Sequence, residues 1–429
     1  MNLRSNPSQN QENPDRSVLN GYADAMPTPM PSDARPVHFR LPVDNAARCL
    51  QQVRIHPGIT RRQLQAALGL TQPTTTRLIT RLEAAGLVSC GAPQGECSSS
   101  GRPSAGVYVD GADLVAAGAH VGKRETHIVL TDVSGAVLAQ ELVPHDVSTT
   151  TAKETLEAIA WRLAHLSRRS PHPVRHVGVA FSADIDPDGT ITSATYGWDR
   201  VPAHAEISAA LHNAAPAANF TSTFTVEVST GVAAMAAHEL AYTDLAAHND
   251  PAAASSLYVY AREVLGYAWI VHGAIHRPRL GHQTPLVARL LADSPLLQPA
   301  QRRGIDPLSV TALLDAAAER GHAASSMAEL VETARGDASL AALLDHRADI
   351  LAAVINIAVQ VIDPSSVVFA GETFSADPQR THRIAQRIGE TSYDDCTLKA
   401  YPANVAVVAQ AAKTIALHAP WQHPLGVQV

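Results

Sequence analysis

Gln72, Thr74, Thr75, Thr76, Arg77 and Arg81 fall in one short run of short hydroxyls, an amide and two guanidinium forks. Such groups hydrogen-bond phosphate oxygens and base edges, so the run predicts contact with double-stranded DNA through the major groove. Arg61 and Arg62 lie a little earlier and are candidate phosphate anchors. Arg102, in Ser100-Gly101-Arg102-Pro103, is a candidate for minor-groove or phosphate contact from a loop. The cysteines are Cys49, Cys90, Cys97 and Cys396, and their spacing holds no CxxC. That pattern argues against a disulfide framework and a closed zinc site, so no metal and no cofactor are expected.

The DNA-reading residues need elements to present them. Thr60 is a good N-cap for a first helix carrying Leu64 and Leu68, and Gly69 is placed to end it. Thr71 is read as the cap of a second helix, with Pro73 near its start and Ile79, Leu82 and Leu87 on its apolar stripe. Leu87-Val88-Ser89 and Val107-Tyr108-Val109 alternate like two paired strands around a Gly/Ser-rich loop. An earlier helix over 43–53, ending before His56-Pro57-Gly58, supports the pair. Together these predict a winged helix-turn-helix with Arg102 at the tip of the wing.

Charge is divided along the chain. Between Val37 and Asp110, eight arginines face four carboxylates, a balance of +4; residues 1–36 stand at −1 and the chain at −7, which leaves −10 for residues 111–429. A small basic module on a large acidic body fits one part on DNA and one held off it. The domains are therefore read as a disordered tail over 1–36, a DNA-binding domain over 37–110 and a body over 111–429. The sequence has no apolar run long enough for a membrane span and no leader pattern at its start, so a cytoplasmic location is expected.

The body opens with three short strands over 114–121, 127–132 and 136–143, a helix over 155–167 and a buried strand over 176–181. That β-β-β-α-β order is how one lobe of an actin-like ATPase fold begins. The pattern returns later: a strand over 224–228, an Ala-rich helix over 230–245, and a strand pair over 256–260 and 267–272. Two helical zones follow, then a strongly apolar helix over 350–361. Asp363-Pro364 stops it before a strand over 366–370 that ends at Gly371. Trp198 fits either a cleft edge or the core.

With these pieces in order, the chain over about 43–418 resembles the ROK family of repressors, open reading frames and sugar kinases. The resemblance rests on the helix-turn-helix with its Ser-Gly-Arg-Pro loop, the stretch HVGVAFSADIDPDGTITSATYGW (176–198), Gly273, Leu280-Gly281-His282 and DPSSVVFAG (363–371). It implies an α/β fold: an N-terminal winged helix-turn-helix followed by an actin-like, sugar-kinase-like body of two lobes.

Set against the family's motifs, the chemical parts are altered. Where such kinases carry Asp-x-Gly-x-Thr, this chain has His120-Val121-Gly122-Lys123-Arg124. Where they carry the Asn-Asp of the catalytic base, it has Ser229-Thr230 or Thr230-Gly231, with no carboxylate to take a proton. Arg279 replaces the sugar-binding Glu of the family's Gly-Glu-Ile-Gly-His run, and His282 lacks the cysteines that would complete a zinc site. Arg262 and Arg279, if both face the old sugar cleft, are candidates to accept an anionic effector, with His282 a candidate beside them.

The resulting expectation is a non-enzymatic transcriptional regulator, taken as a repressor. It would bind DNA as a homodimer or homotetramer joined through the body. The body either senses a small-molecule effector or has become a constitutive dimerisation platform. The rival readings are a sugar kinase with a fused DNA reader, and a regulator whose acidic body docks a protein partner.

Overall fold

The N-terminal module forms where the sequence places its caps. In the computed structural model, which describes residues 35–91, 105–244, 255–276, 285–389, 396–401 and 404–426, helix α1 (Asn45–Ile55) begins at Asp44. The Asp44 carboxylate accepts from the Ala46 and Ala47 N–H groups at 2.9 and 3.3 Å. A short strand β1 (Ile59–Thr60) leads into α2 (Arg61–Leu68), where Thr60 and Gln63 form a reciprocal capping box and Gly69 closes the helix at φ 64°. Helix α3 (Gln72–Ala84) starts after Thr71, but the Thr71 hydroxyl does not cap its backbone. It lies 2.9 Å from the Thr74 hydroxyl instead, which corrects the expected cap. Strands β2 (Val88–Gly91) and β3 (Gly106–Val109) pair antiparallel, and β1 joins the other side of β3.

The body is built twice on one topology. Its first half is β4 (Val115–Val121), β5 (Glu125–Asp132), β6 (Val137–Pro144), α4 (Ala152–Ser167), β7 (Val174–Phe181), a ribbon of β8 (Thr190–Ser193) and β9 (Trp198–Pro202), α5 (Ala203–Ala214) and β10 (Phe220–Thr230). Its sheet runs β6-β5-β4-β7-β10, antiparallel among the first three and parallel thereafter. The second half opens with α6 (Gly231–Ala241), β11 (Ser256–Ala261), β12 (Leu265–Val271) and β13 (Ala274–His276). A helical zone follows: α7 (Pro285–Leu291), α8 (Leu297–Arg303), α9 (Val310–Ala318), α10 (Met327–Ala334) and α11 (Ala338–Ile362). Then come β14 (Ser366–Ala370), α12 (Glu372–Ser375), α13 (Pro378–Gly389), β15 (Thr397–Ala400) and α14 (Asn404–Gln422). The second sheet, β13-β12-β11-β14-β15, repeats the first strand for strand.

The apolar helix expected over 350–361 is the end of α11, and its inner face fills the core of the second lobe. Asp363 stops it at φ 50°. Trp198 resolves to the core: it is 4% exposed and meets Phe181 and Tyr196 edge-on.

Helix α14, which the strand and helix pattern did not mark, crosses back to the first sheet. It lies so close that a Cβ on Gly118 would stand 2.0 Å from the Ala412 carbonyl oxygen, and one on Gly178 2.5 Å from the Ile415 carbonyl carbon. Its end also enters the reader: Ala416, Leu417 and Trp421 share a core with Leu50, Leu64, Ile79 and Leu82. Residues 37–41, grouped with the reader on sequence, run along the body. Val37 N–H donates to Val228 at 2.8 Å, Leu41 N–H to Gly273 at 2.6 Å, and Phe39 accepts from Ile275 at 2.8 Å. Most of the expected tail lies outside the described residues.

Candidate nucleic-acid interface

Helix α3 divides its residues by face. Ile79 and Leu82 point inward and are fully buried, while Gln72, Thr76, Arg77 and Arg81 are exposed and Thr74 is half-buried. Arg61 and Arg62 are exposed at the start of α2. Arg61 Nη2 reaches the Cys90 sulfur at 3.5 Å, at the base of the wing. Among the described residues Arg62, Arg77 and Arg81 have no ion-pair partner, so their guanidinium groups face solvent uncompensated. Such a face attracts a polyanion and can make bidentate contacts with phosphate or guanine.

Thr75 is a correction. It was expected on the DNA side, yet it is 2% exposed and its hydroxyl donates to the Thr71 carbonyl at 3.1 Å. Four residues before Ile79 and seven before Leu82, it lies on the apolar stripe of its helix, so the reason was present in the spacing. Arg102, Cys97 and the rest of the wing tip lie outside the described residues.

The crevice between the lobes, beside the loop His120–Arg124, is occupied by the body's own side chains. Glu125 on β5 and Arg262 after β11 meet at 2.5 Å between Oε1 and Nη1, and Arg262 Nε also donates to Glu372 at 3.0 Å. Beside them, Arg124 Nη2 pairs with Glu263 at 2.7 Å and donates to the Thr311 hydroxyl, which in turn donates to Glu263. An Arg-Glu dipeptide of one lobe thus pairs crosswise with an Arg-Glu dipeptide of the other. The crevice left among them, by His120 and Lys123, measures about 20 Å³, room for a single water.

His120, standing where the family motif has its metal-orienting Asp, is 2% exposed. Burial, with the nearby charges of His127 and Arg262, pulls its pKa down to about 3. Its Nε2 lies 3.3 Å from the Ser182 hydroxyl, and a Cβ on Gly231 would stand 2.6 Å from the same nitrogen. Glu125 is held at about pKa 2 by His127 and then by Arg262. Because His127 Nε2 stands 3.8 Å from Glu125 Oε1, beyond hydrogen-bond reach, the shorter Arg262 contact is the firmer hold.

The expected anion site is therefore corrected at Arg262, whose guanidinium already bridges two carboxylates. Arg279 and His282 lie outside the described residues. Next to the blocked crevice a separate cavity of about 330 Å³ opens between the lobes. Ser182, Asp184, Thr192, Thr195 and Thr230 line it, and no Lys or Arg does among the described residues. Thr230, at the position of a kinase base, is spent as the N-cap of α6, accepting from Ala233 N–H at 3.4 Å.

Sequence reasoning missed Gln51, Arg54 and Trp421, which join the reader to the body. Arg54, one of the eight arginines of the basic module, turns inward: its Nη2 donates to the Ala241 carbonyl at 3.1 Å.

A winged helix-turn-helix ahead of a two-lobed, sugar-kinase-like body is the class that fold and site define. A model described as MarR family matches residues 43–93. A transcriptional regulator of Mycobacterium tuberculosis is 27% identical over 370 residues, which cover 81% of this chain and 79% of that protein. A transcriptional regulator of Mycobacterium bovis matches to the same extent, 27% over 370 residues, 81% and 79%. Among solved structures, a ROK family transcriptional regulator described as a homolog of the E. coli MLC protein superposes with a TM-score of 0.64. It is 17% identical, over 89% of this chain and 97% of that one. The ROK hexokinase of Thermus thermophilus superposes with a TM-score of 0.50 at 18% identity, over 71% of this chain and 99% of its own. The body has the ROK fold. Among the described residues no helix is long and apolar enough to cross a membrane.

Proposed function

We propose that the chain is a sequence-specific DNA-binding transcriptional regulator, acting as a repressor, whose body has left sugar phosphorylation behind. The observation that carries the reading is the exposed, uncompensated face of α3, with Gln72, Thr76, Arg77 and Arg81 outward and Ile79 and Leu82 anchoring it inward. Arg61 and Arg62 anchor phosphates, and Arg102 adds a contact from the wing. The relatives named as transcriptional regulators support the same assignment.

Non-enzymatic status rests on chemistry. Phosphoryl transfer needs a carboxylate at the acceptor hydroxyl and open space for nucleotide phosphates. Here Thr230 supplies no base, and the Arg262–Glu125 and Arg124–Glu263 pairs leave a crevice of only about 20 Å³ beside the loop that matches the family's phosphate motif. The inter-lobe cavity, lined by hydroxyls and lacking cations, suits an uncharged hydroxyl-bearing effector better than an anionic one. Two copies joined through the body would place two readers on a two-fold DNA site in the cytoplasm.

Genome-wide occupancy of the tagged protein, with transcript levels in cells lacking it, tests the reading. A recurring two-fold motif upstream of genes whose transcripts rise on deletion is expected. Occupancy without a motif, or transcripts that fall, would overturn the specific reader or the repressor. Steady ATP turnover with any hexose would overturn the non-enzymatic body.

A further inference from the structure

The seam between reader and body holds polar atoms that DNA reading leaves unused. Helix α1 lies against the C-terminal end of α6, where the carbonyls run out of regular i+4 donors. Gln51 Nε2 donates to the Leu240 and Thr243 carbonyls at 3.1 and 2.8 Å, and Arg54 donates to Ala241 beside them. The Arg54 guanidinium carbon stands 3.2 Å from the Trp421 ring centroid and 5.4 Å from that of Tyr242. Arg54 Nε is sealed from solvent without a hydrogen-bond partner, and so is the Thr414 hydroxyl on α14.

These residues wall a cavity of about 40 Å³. Arg40, Arg54 and His418 contribute to the wall, and no Asp or Glu does among the described residues. His418 is already engaged by Glu227, which leaves the two arginines as the cavity's charge. A cation taken out of water without a counter-ion is costly, and burial pulls the Arg54 guanidinium down to about pKa 10. An entering anion would meet a donor already desolvated and fixed by stacking, the condition under which charge-assisted hydrogen bonds are strongest. The volume admits the head of a carboxylate or phosphate but not a whole sugar phosphate.

We propose that the reader–body seam is a binding site for a small oxyanion, a carboxylate or phosphate group, held by Arg54 with Thr414 and Arg40. It is separate from the inter-lobe cavity. Because Arg54 also ties α1 to Ala241, an anion bound there acts on the docking of the reader itself.

The test uses the full-length protein without DNA, so its failure leaves the DNA-binding reading intact. Thermal melting and tryptophan emission are followed against inorganic phosphate and, separately, malonate, with chloride at matched ionic strength as the reference. Saturable changes in both signals are expected, with affinity at least tenfold weaker in Arg54→Gln and several-fold weaker in Thr414→Val and Arg40→Gln. The last two variants keep the Arg54–Trp421 stack, so they report even where Arg54→Gln fails to fold. Saturation by phosphate alone assigns a phosphate group, by malonate alone a carboxylate, and by both an oxyanion of either source. Non-saturating rises shared by all variants, or saturation unchanged by the substitutions, would overturn the site.

Discussion

Arg262 and Glu125 meet across the two lobes at 2.5 Å, joining the end of β11 to the start of β5. Both side chains are about one-fifth exposed, so the pair is poorly screened. Removing one partner leaves the other desolvated and unpaired. Arg262→Ala should cost about 3 kcal/mol of unfolding free energy, and Glu125→Gln a smaller amount. A double-mutant cycle by denaturant unfolding should return a coupling of at least about 1 kcal/mol. Additive losses would show that the pair does not hold the lobes.

Acid should loosen the same region from His120. Its pKa falls from the ordinary value of 6.5 to about 3 in the folded protein. The unfolded chain therefore binds the extra proton between these values, and stability is lost as pH falls through that window. The loss should reach a few kcal/mol and level off below about pH 3. His120→Asn should flatten the pH dependence of stability between pH 6.5 and 4 relative to wild type. The Glu125 carboxyl, lowered from 4.5 to about 2, adds a second loss that begins only below pH 4.5. An unchanged slope in the His120 variant above pH 4.5 would show that His120 does not contribute to it, leaving His238, which burial lowers to about pKa 4.

Gln52 is fully buried in α1, and neither its amide nitrogen nor its oxygen has a partner among the described residues. An unsatisfied buried amide is a standing cost, so Gln52→Met should stabilise the protein by about 1 kcal/mol. Denaturant unfolding reads the change, and a loss of stability would indicate that the amide has a partner in solution.

Thr75 and Thr76 are neighbours with opposite duties. Thr75→Ala removes a buried hydroxyl and methyl and should lower stability by about 1 kcal/mol while leaving base preference intact. Thr76→Ala should do the reverse, leaving stability within about 0.5 kcal/mol and weakening specific DNA binding. Melting and binding curves on the two variants separate these effects.

How much of this was legible in the sequence depended on range. Thr60 and Gly69 act within one turn of chain, and the N-cap and the left-handed helix end formed where their types placed them. Asp363-Pro364 and Gly371 likewise marked the end of α11 and of β14, because the signals are local. Thr75 was legible but misread: its hydroxyl suggested DNA, while its spacing from Ile79 and Leu82 put it in the core. The partners of Arg262 and Arg54 were not legible. Arg262 finds Glu125 across 137 positions, and Arg54 finds the end of α6 across 187. Helix α14 escaped because its alanines carry little periodic contrast, and its fit depends on Gly118 and Gly178, which lie far upstream of the Ala412 and Ile415 they meet.

If the outward face of α3 reads a specific DNA sequence, binding must discriminate between duplexes of equal charge. Fluorescence anisotropy of the full-length protein on its own upstream region, against a scrambled duplex near physiological salt, tests it most directly. A preference of roughly a hundredfold or more is expected. Arg77→Ala with Arg81→Ala should abolish that preference and reduce the slope of log affinity against log salt by up to about two. Equal affinity for both duplexes, unchanged by the two substitutions, would contradict it.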